Sequence, residues 1–260
     1  MRITFLGTAA AGGLPLFGCE CSACVAAHKD AALAREPCSA LFEYQGTRIL
    51  VDAGLMDLHR RFAPGELDAI VLTHFHPDHV QGLFHLRWGK GPDIPVFIPP
   101  DPDGCADLFR HPGILDFRPQ VAFGSLEIGP FKVTPLPLIH SKVTFGYAFE
   151  LANGTSFAYL TDTRGLPSQT CDFLRSMKPD GLAIDCTFPP SDQPKGHNDW
   201  TKALACVEDT LPQWAWLTHI GHDLDNWLLT TAPELPDHIS VAADDEWVDL
   251  PSGTGSRRNE

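Results

Sequence analysis

The 260 residues are 43% hydrophobic and 20% charged, which is enough apolar surface for a full core and excludes disorder along the whole chain. The formal net charge of −14 disfavours a long nucleic acid as partner, because gripping phosphates takes a basic surface. No apolar run approaches the ~18 residues that a membrane span needs, so no membrane partner is expected. Met1-Arg2 runs straight into a strand-like Ile3-Thr4-Phe5-Leu6, unlike the longer apolar core of a signal peptide, and a cytoplasmic protein is expected.

In chain order, residues 3–6 read as a strand, and 7–13 (Gly-Thr-Ala-Ala-Ala-Gly-Gly) as a tight turn without the Gly-Lys-Ser/Thr ending of a phosphate loop. An Ala-rich helix is expected over 22–33. Strands over 40–44 and 48–52 flank Gln45-Gly46-Thr47, a hairpin signal. An almost wholly apolar strand covers 69–73, and a helix over 79–84 follows the loop after it. Further strands are expected over 95–98, 126–128, 131–136, 145–151 and 156–160, the last two around Asn153-Gly154. A helix over 168–176 follows Pro167, and strands over 182–185 and 214–217 flank a helix over 201–209. Residues 238–248 form a mixed closing segment. The chain is expected to be one domain over 1–250, with a frayed tail over 251–260 that has nothing to bury. Hairpins in each half of the chain demand antiparallel neighbours, and helices intervene between them. Two mainly antiparallel sheets packed face to face, with helices outside, satisfy that pattern.

The chemistry concentrates in His74-Phe75-His76-Pro77-Asp78-His79. Four potential ligands fall within six residues, directly after an apolar strand. Imidazoles and a carboxylate on one tight loop suit zinc, manganese or iron. A second group is Cys19-Glu20-Cys21-Ser22-Ala23-Cys24. Three thiolates with one histidine make a closed structural zinc site, and His222 is the natural fourth ligand. The other cysteines (Cys38, Cys105, Cys171, Cys186 and Cys206) are isolated and read as ordinary buried thiols.

The histidine loop resembles the HxHxDH motif of the metallo-β-lactamase superfamily, whose fold is an αββα sandwich. The resemblance implies three more ligands: His140 in Pro137-Leu138-Ile139-His140, Asp162 in Leu160-Thr161-Asp162, and His219 in Leu217-Thr218-His219. His74, His76 and His140 would hold one cation, Asp78, His79 and His219 the other, and Asp162 would bridge them. Water activated between the two cations would attack a phosphorus or carbonyl carbon, with Asp78 also orienting it.

The stretches 13–24, 79–89, 111–117 and 135–147 look like the cyclic phosphodiesterase of the carbon–phosphorus lyase pathway. That resemblance implies hydrolysis of 5-phospho-α-D-ribosyl 1,2-cyclic phosphate, two manganese ions, a structural zinc on three cysteines and one histidine, and a homodimer. His197, in Lys195-Gly196-His197, matches a histidine that this group places over the metals and is expected to act as general acid. Lys142 and Arg87 are candidate phosphate donors. Two relatives on the same scaffold are the alternatives: a tRNA 3′-processing nuclease and a protein of pyrroloquinoline quinone biosynthesis.

Overall fold

The computed structural model describes residues 1–191, 195–250 and 254–256. The first sheet begins as an antiparallel meander of β1 (Arg2–Gly7), β2 (Ser39–Tyr44) and β3 (Thr47–Val51). From β3 it continues in parallel pairing through β4 (Ala69–Val71), β5 (Ile94–Ile98) and β6 (Leu115–Pro119). The second sheet repeats the plan. Strands β7 (Leu126–Ile128), β8 (Phe131–Pro137), β9 (Phe145–Leu151) and β10 (Ser156–Leu160) are antiparallel neighbours. Then β11 (Gly181–Asp185), β12 (Trp214–Thr218) and β13 (Ile239–Val241) add in parallel. The chain returns to the first sheet with β14 (Glu246–Asp249) on β1, and β15 (Thr254–Ser256) extends that edge.

Both sheets are therefore mixed: the first has four antiparallel pairings to three parallel, and the second, expected to be mainly antiparallel, has three of each. Two-residue turns join β2 to β3 and β7 to β8, loops of four and seven residues make the other hairpins of the second sheet, and helical or long connections bring the later strands back in parallel. The helices are α1 (Ser22–Lys29), α2 (Leu58–Arg61), α3 (Pro77–Val80), α4 (Leu83–Leu86), α5 (Ala106–Arg110), α6 (Ser168–Met177), α7 (Trp200–Thr210) and α8 (His222–Thr231). None of the described helices is long and apolar enough to cross a membrane.

The two-residue period of the strands sorts the core into layers. Ile49, Val51, Val71 and Ala183 face the space between the sheets, where they meet Phe5, Phe42, Phe149, Phe157, Tyr159 and Trp216. Their neighbours Leu50, Ile70 and Leu72 face outward beneath α2, α4 and α5. Leu182, Ile184 and Leu217 do the same on the second sheet, beneath α6, α7 and α8. Such layering is the reason for an α/β sandwich: each sheet has two apolar faces, and only one can face the other sheet.

Several elements differ from expectation for local reasons. The helix expected over 22–33 stops at Lys29 because Asp30 turns extended and caps a separate 3-10 turn, its carboxylate accepting from Ala32 N at 3.0 Å. The helix expected over 79–84 starts at Pro77 and breaks at Gly82, whose N–H leaves the helical ladder to donate to Ala53 O at 2.8 Å. The segment 238–248 forms strands β13 and β14 in place of a mixed segment. The backbone of 254–256 pairs with β14 instead of fraying, while 251–253 and 257–260 lie outside the described residues.

Candidate metal centre

The site lies where strands of both sheets end. Asp52 follows β3, the 74–79 loop follows β4, His140 follows β8, Asp162 follows β10, and His219 follows β12. Three of these residues stand in the left-handed region: Asp52 at φ 56°, Asp162 at φ 63° and His219 at φ 59°. A non-glycine residue is uncommon there, and the strain is sustained by the surrounding structure, as at many functional sites. At each point the chain turns sharply off the strand end.

Two clusters form. In the first, His76 Nδ1 stands 2.7 Å from His74 Nε2 and 3.1 Å from His140 Nε2. Asp162 Oδ2 is 3.6 Å from Nε2 of both His74 and His140. In the second, His79 Nε2 is 3.2 Å from Asp78 Oδ2, and His219 Nε2 is 3.9 Å from the same oxygen. Asp162 Oδ1 lies 3.3 Å from each of those two imidazole nitrogens. Its two oxygens thus point one into each cluster. Ligands about 2.1 Å from one tetrahedral ion lie about 3.4 Å from one another, so both clusters have the spacing of a coordination sphere. The second cluster gives a further test. Nε2 of His79, Nε2 of His219 and Oδ1 of Asp162 are buried without a hydrogen-bond partner. Buried lone pairs left unmet are costly, and a cation between them satisfies all three.

The imidazoles are held from behind. His79 Nδ1 donates to Asp52 Oδ2 at 2.8 Å, and His140 Nδ1 donates to Gly196 O at 3.1 Å. His74 Nδ1 donates at 3.0 Å to Thr73 Oγ1, whose own hydroxyl donates to Asp52. His219 Nδ1 donates at 2.8 Å to Thr187 Oγ1, which passes the bond on to Asp185 Oδ1 at 2.9 Å. Each contact fixes the tautomer that leaves Nε2 free toward the site.

The two clusters differ in charge. Burial pushes the pKa of His74 well below the ordinary value, and it also lowers those of His76 and His140. In the second cluster, burial acts in the same direction on His79 and His219, but the carboxylates outweigh it. Asp162 and Asp52 hold His79 well above its usual range, and Asp162 and Asp78 hold His219 at about 9. Burial would raise the Asp162 carboxyl, yet His219, His79 and His74 keep it well below the usual range.

His197 leads toward α7, and its Nδ1 is 2.7 Å from Asp185 Oδ2. Its ring stacks on His219 at 4.7 Å and 16° and lies 4.9 Å from His140. It faces a cavity of about 280 Å³, walled by His76, Asp78, Asp162, His219, Phe188 and the 10–13 backbone. The turn after β1 is therefore part of the site, which its sequence did not signal.

A third cluster lies beside this cavity. The ligating atoms of Cys19, Cys21, Cys24 and His222 all fall within 4.8 Å of one another. Cys19 Sγ is 3.6 Å and Cys21 Sγ 3.9 Å from His222 Nδ1. Backbone N–H groups of Cys21, Cys24 and Leu16 point at the three sulfurs at 3.4–3.5 Å, as suits thiolates. Burial acts to raise the Cys21 thiol, but bonds to His222 and to Cys24 bring it down to about 7; burial lifts Cys24 to about 11. The remaining five cysteines are free; Cys38, Cys171, Cys186 and Cys206 are buried, and Cys105 is partly so.

Neither candidate phosphate donor lines this cavity. Arg87 is buried away from the cavity, bonded to Asp107 at 2.8 Å and to the carbonyls of 107 and 111, with Trp88 against its guanidinium. Lys142 faces Asp101 at 3.8 Å. Sequence reasoning missed the carboxylates behind the site. Asp52 and Asp185 read simply as the last residues of strands, and only the fold shows that each orients a histidine.

The sequence profile described as the beta-lactamase superfamily domain matches residues 47–220. A solved structure described as a new diphosphatase from the PhnP family superposes with TM-score 0.78 at 26% identity, over 95% of this chain and 97% of that one. Zn(2+)-bound PqqB from Methylobacterium extorquens shares the fold, with TM-score 0.77 at 20% identity over 96% of this chain and 100% of that one. An octanoyltransferase of Porphyromonas gingivalis is 27% identical over 197 residues, 68% of this chain; the match spans only 38% of that protein's length. The profile runs from the hairpin before the histidine loop to the residue after His219, and on that ground the chain belongs to the beta-lactamase superfamily.

Proposed function

We propose that the protein is a metal-dependent phosphodiesterase that opens 5-phospho-α-D-ribosyl 1,2-cyclic phosphate to ribose 1,5-bisphosphate, a step of phosphonate catabolism. The observation that carries this reading is Asp162 set between two ligand clusters, with His197 facing the same small cavity. Likeness to a diphosphatase, which also acts at phosphorus, supports it. The net charge of −14 favours a small phosphorylated sugar over a nucleic acid.

His74, His76, His140 and Asp162 would hold one cation, and Asp78, His79, His219 and Asp162 the other. Their imidazole and carboxylate donors suit manganese, whereas the thiolates of Cys19, Cys21 and Cys24 with His222 suit zinc. Two such cations supply Lewis acidity and lower the pKa of water. The chain's residues then have distinct tasks. Asp78 accepts a hydrogen bond from the attacking water and aligns it with phosphorus. Water adds to phosphorus as the bond to ribose O2 breaks. His197 Nε2 gives that departing oxygen its proton, and Asp185 keeps the Nδ1 proton and the ring orientation fixed. Phosphorus NMR of manganese-loaded protein with the ribosyl cyclic phosphate tests this. The cyclic diester resonance should give way to a monoester without free orthophosphate. A persistent cyclic resonance, or turnover confined to 2′,3′-cyclic nucleotides, would reject this substrate.

A further inference from the structure

The proposed substrate carries two phosphate groups, and only one of them would react at the metal centre. We propose that Arg164 and Lys202, with Lys195 beside them, form an anion subsite that binds the phosphate monoester left untouched by the reaction. The inference rests on the phosphodiesterase reading above.

Three adjoining segments around His140 and His197 carry these cations. Arg164 stands two residues beyond Asp162, and its N–H donates to Ile139 O at 2.9 Å, one residue before His140. The loops that carry Asp162 and His140 are zipped together at that point. Lys202 lies in the first turn of α7, the helix that His197 leads into. Its side chain packs over Gly165: a Cβ on that glycine would stand 3.0 Å from Lys202 Cε and 3.7 Å from Nζ. Gly165 is held in turn by Asn198 Oδ1 at 2.7 Å, next to His197. Lys195 precedes Gly196, whose carbonyl accepts the His140 proton at 3.1 Å.

These three cations stand close in the fold to the ligand loops of a strongly acidic chain. Acidic residues outnumber basic ones by 33 to 19, so carboxylate partners are abundant. Arg35, for example, meets Asp225 at 2.7 Å, and Arg48 meets Glu43 at 2.9 Å. Among the described residues no carboxylate lies within ion-pair distance of Arg164, Lys195 or Lys202. Arg164 is exposed, and Lys202 is half-buried. Like charges gathered without partners repel, and a doubly charged anion relieves that repulsion while the field of the rim draws it in. A guanidinium fork matches the oxygens of a phosphate monoester, and an ammonium beside it adds a point charge.

The test compares kcat/KM for ribosyl 1,2-cyclic phosphate with and without its 5-phosphate. In Arg164→Gln/Lys202→Gln the preference for the 5-phosphorylated diester should fall about tenfold or more, and Arg164→Lys should restore part of it. Lys178→Ala removes one charge at the opposite ends of the strands, before β11, and should leave the preference intact. Circular dichroism verifies the fold of each variant. Calorimetric titration of the metal-loaded protein with ribose 5-phosphate reads the subsite without turnover; its Kd should rise about tenfold in the double variant. Ribose 5-phosphate binding that depends on Arg164 and Lys202, with neither diester hydrolysed, would retain the subsite and reject the reaction. Wild-type protein that fails to bind ribose 5-phosphate, or a double variant with unchanged preference and unchanged Kd, would overturn the proposal.

Discussion

At the scale of single residues, the site depends on which nitrogen of each histidine is free. Of the imidazoles in the cavity wall, His76 and His219 belong to the two ligand clusters and His222 to the cysteine cluster, which leaves His197, whose Nε2 Asp185 keeps available. Replacing His197 by alanine should lower kcat by roughly 10²–10⁴-fold with manganese content unchanged, as expected for loss of a general acid. Turnover and metal analysis on one preparation check this; parallel loss of manganese would contradict the acid role.

Proton and metal compete at the second cluster. His219 holds its proton up to about pH 9, against an ordinary 6.5. A raised pKa of this kind stabilises the metal-free fold fully below pH 6.5, and the contribution is lost as pH climbs through about 9. Metal binding has the opposite sign, because the proton must leave. Affinity at Asp78, His79 and His219 should therefore rise steeply between pH 6.5 and 9, whereas the first cluster, with its histidines already neutral, should change little. Calorimetric titrations at the two ends of that window measure it, and equal slopes for both sites would contradict the charge asymmetry. Sequence alone made the candidate ligands legible, because four of them crowd into 74–79. It did not reveal Asp52 or Asp185, since a lone carboxylate at a strand end is the same in sequence whether it faces solvent or a histidine.

At the scale of elements, the site depends on close packing behind the ligand loops. Gly54 lies under α3: a Cβ there would stand 2.1 Å from Asp78 O, inside any real contact. Gly54→Ala should push α3 outward, weaken metal binding at Asp78 and His79, and lower Tm by several degrees. Unchanged Tm and unchanged metal affinity would show that the loop yields freely. The cysteine cluster clamps the opposite wall. His222 opens α8 three residues after His219, and Ile220 between them exchanges hydrogen bonds with Thr8 and Ala10. Cys21→Ser should abolish zinc binding at this cluster, lower Tm and reduce turnover through a looser His219; zinc stoichiometry unchanged in that variant would count against the proposed zinc site. Most strands were legible from apolar alternation and turn residues. α8 was not anticipated, although Leu224, Trp227 and Leu228 show helical spacing and pack on the second sheet. β6 was missed because its strand is largely exposed and ends in proline, leaving little apolar pattern.

At the scale of the molecule, the two sheets share one plan: antiparallel hairpins first, then parallel strands. In each sheet the pairing changes at a central strand, β3 or β10, and an aspartate follows that strand, Asp52 or Asp162. The parallel half was not legible in the sequence, since strand direction depends on crossovers that no local pattern specifies. That half nevertheless places the site, because parallel strands deliver their carboxyl ends, and the residues after them, to one edge. In the proposed centre, side chains from positions 74 to 219 hold two cations joined by Asp162. Electron paramagnetic resonance of protein loaded with two manganese ions per chain tests it most directly. An exchange-coupled dinuclear spectrum that Asp162→Ala abolishes is expected. Two isolated six-line manganese signals, unaffected by that substitution, would contradict it.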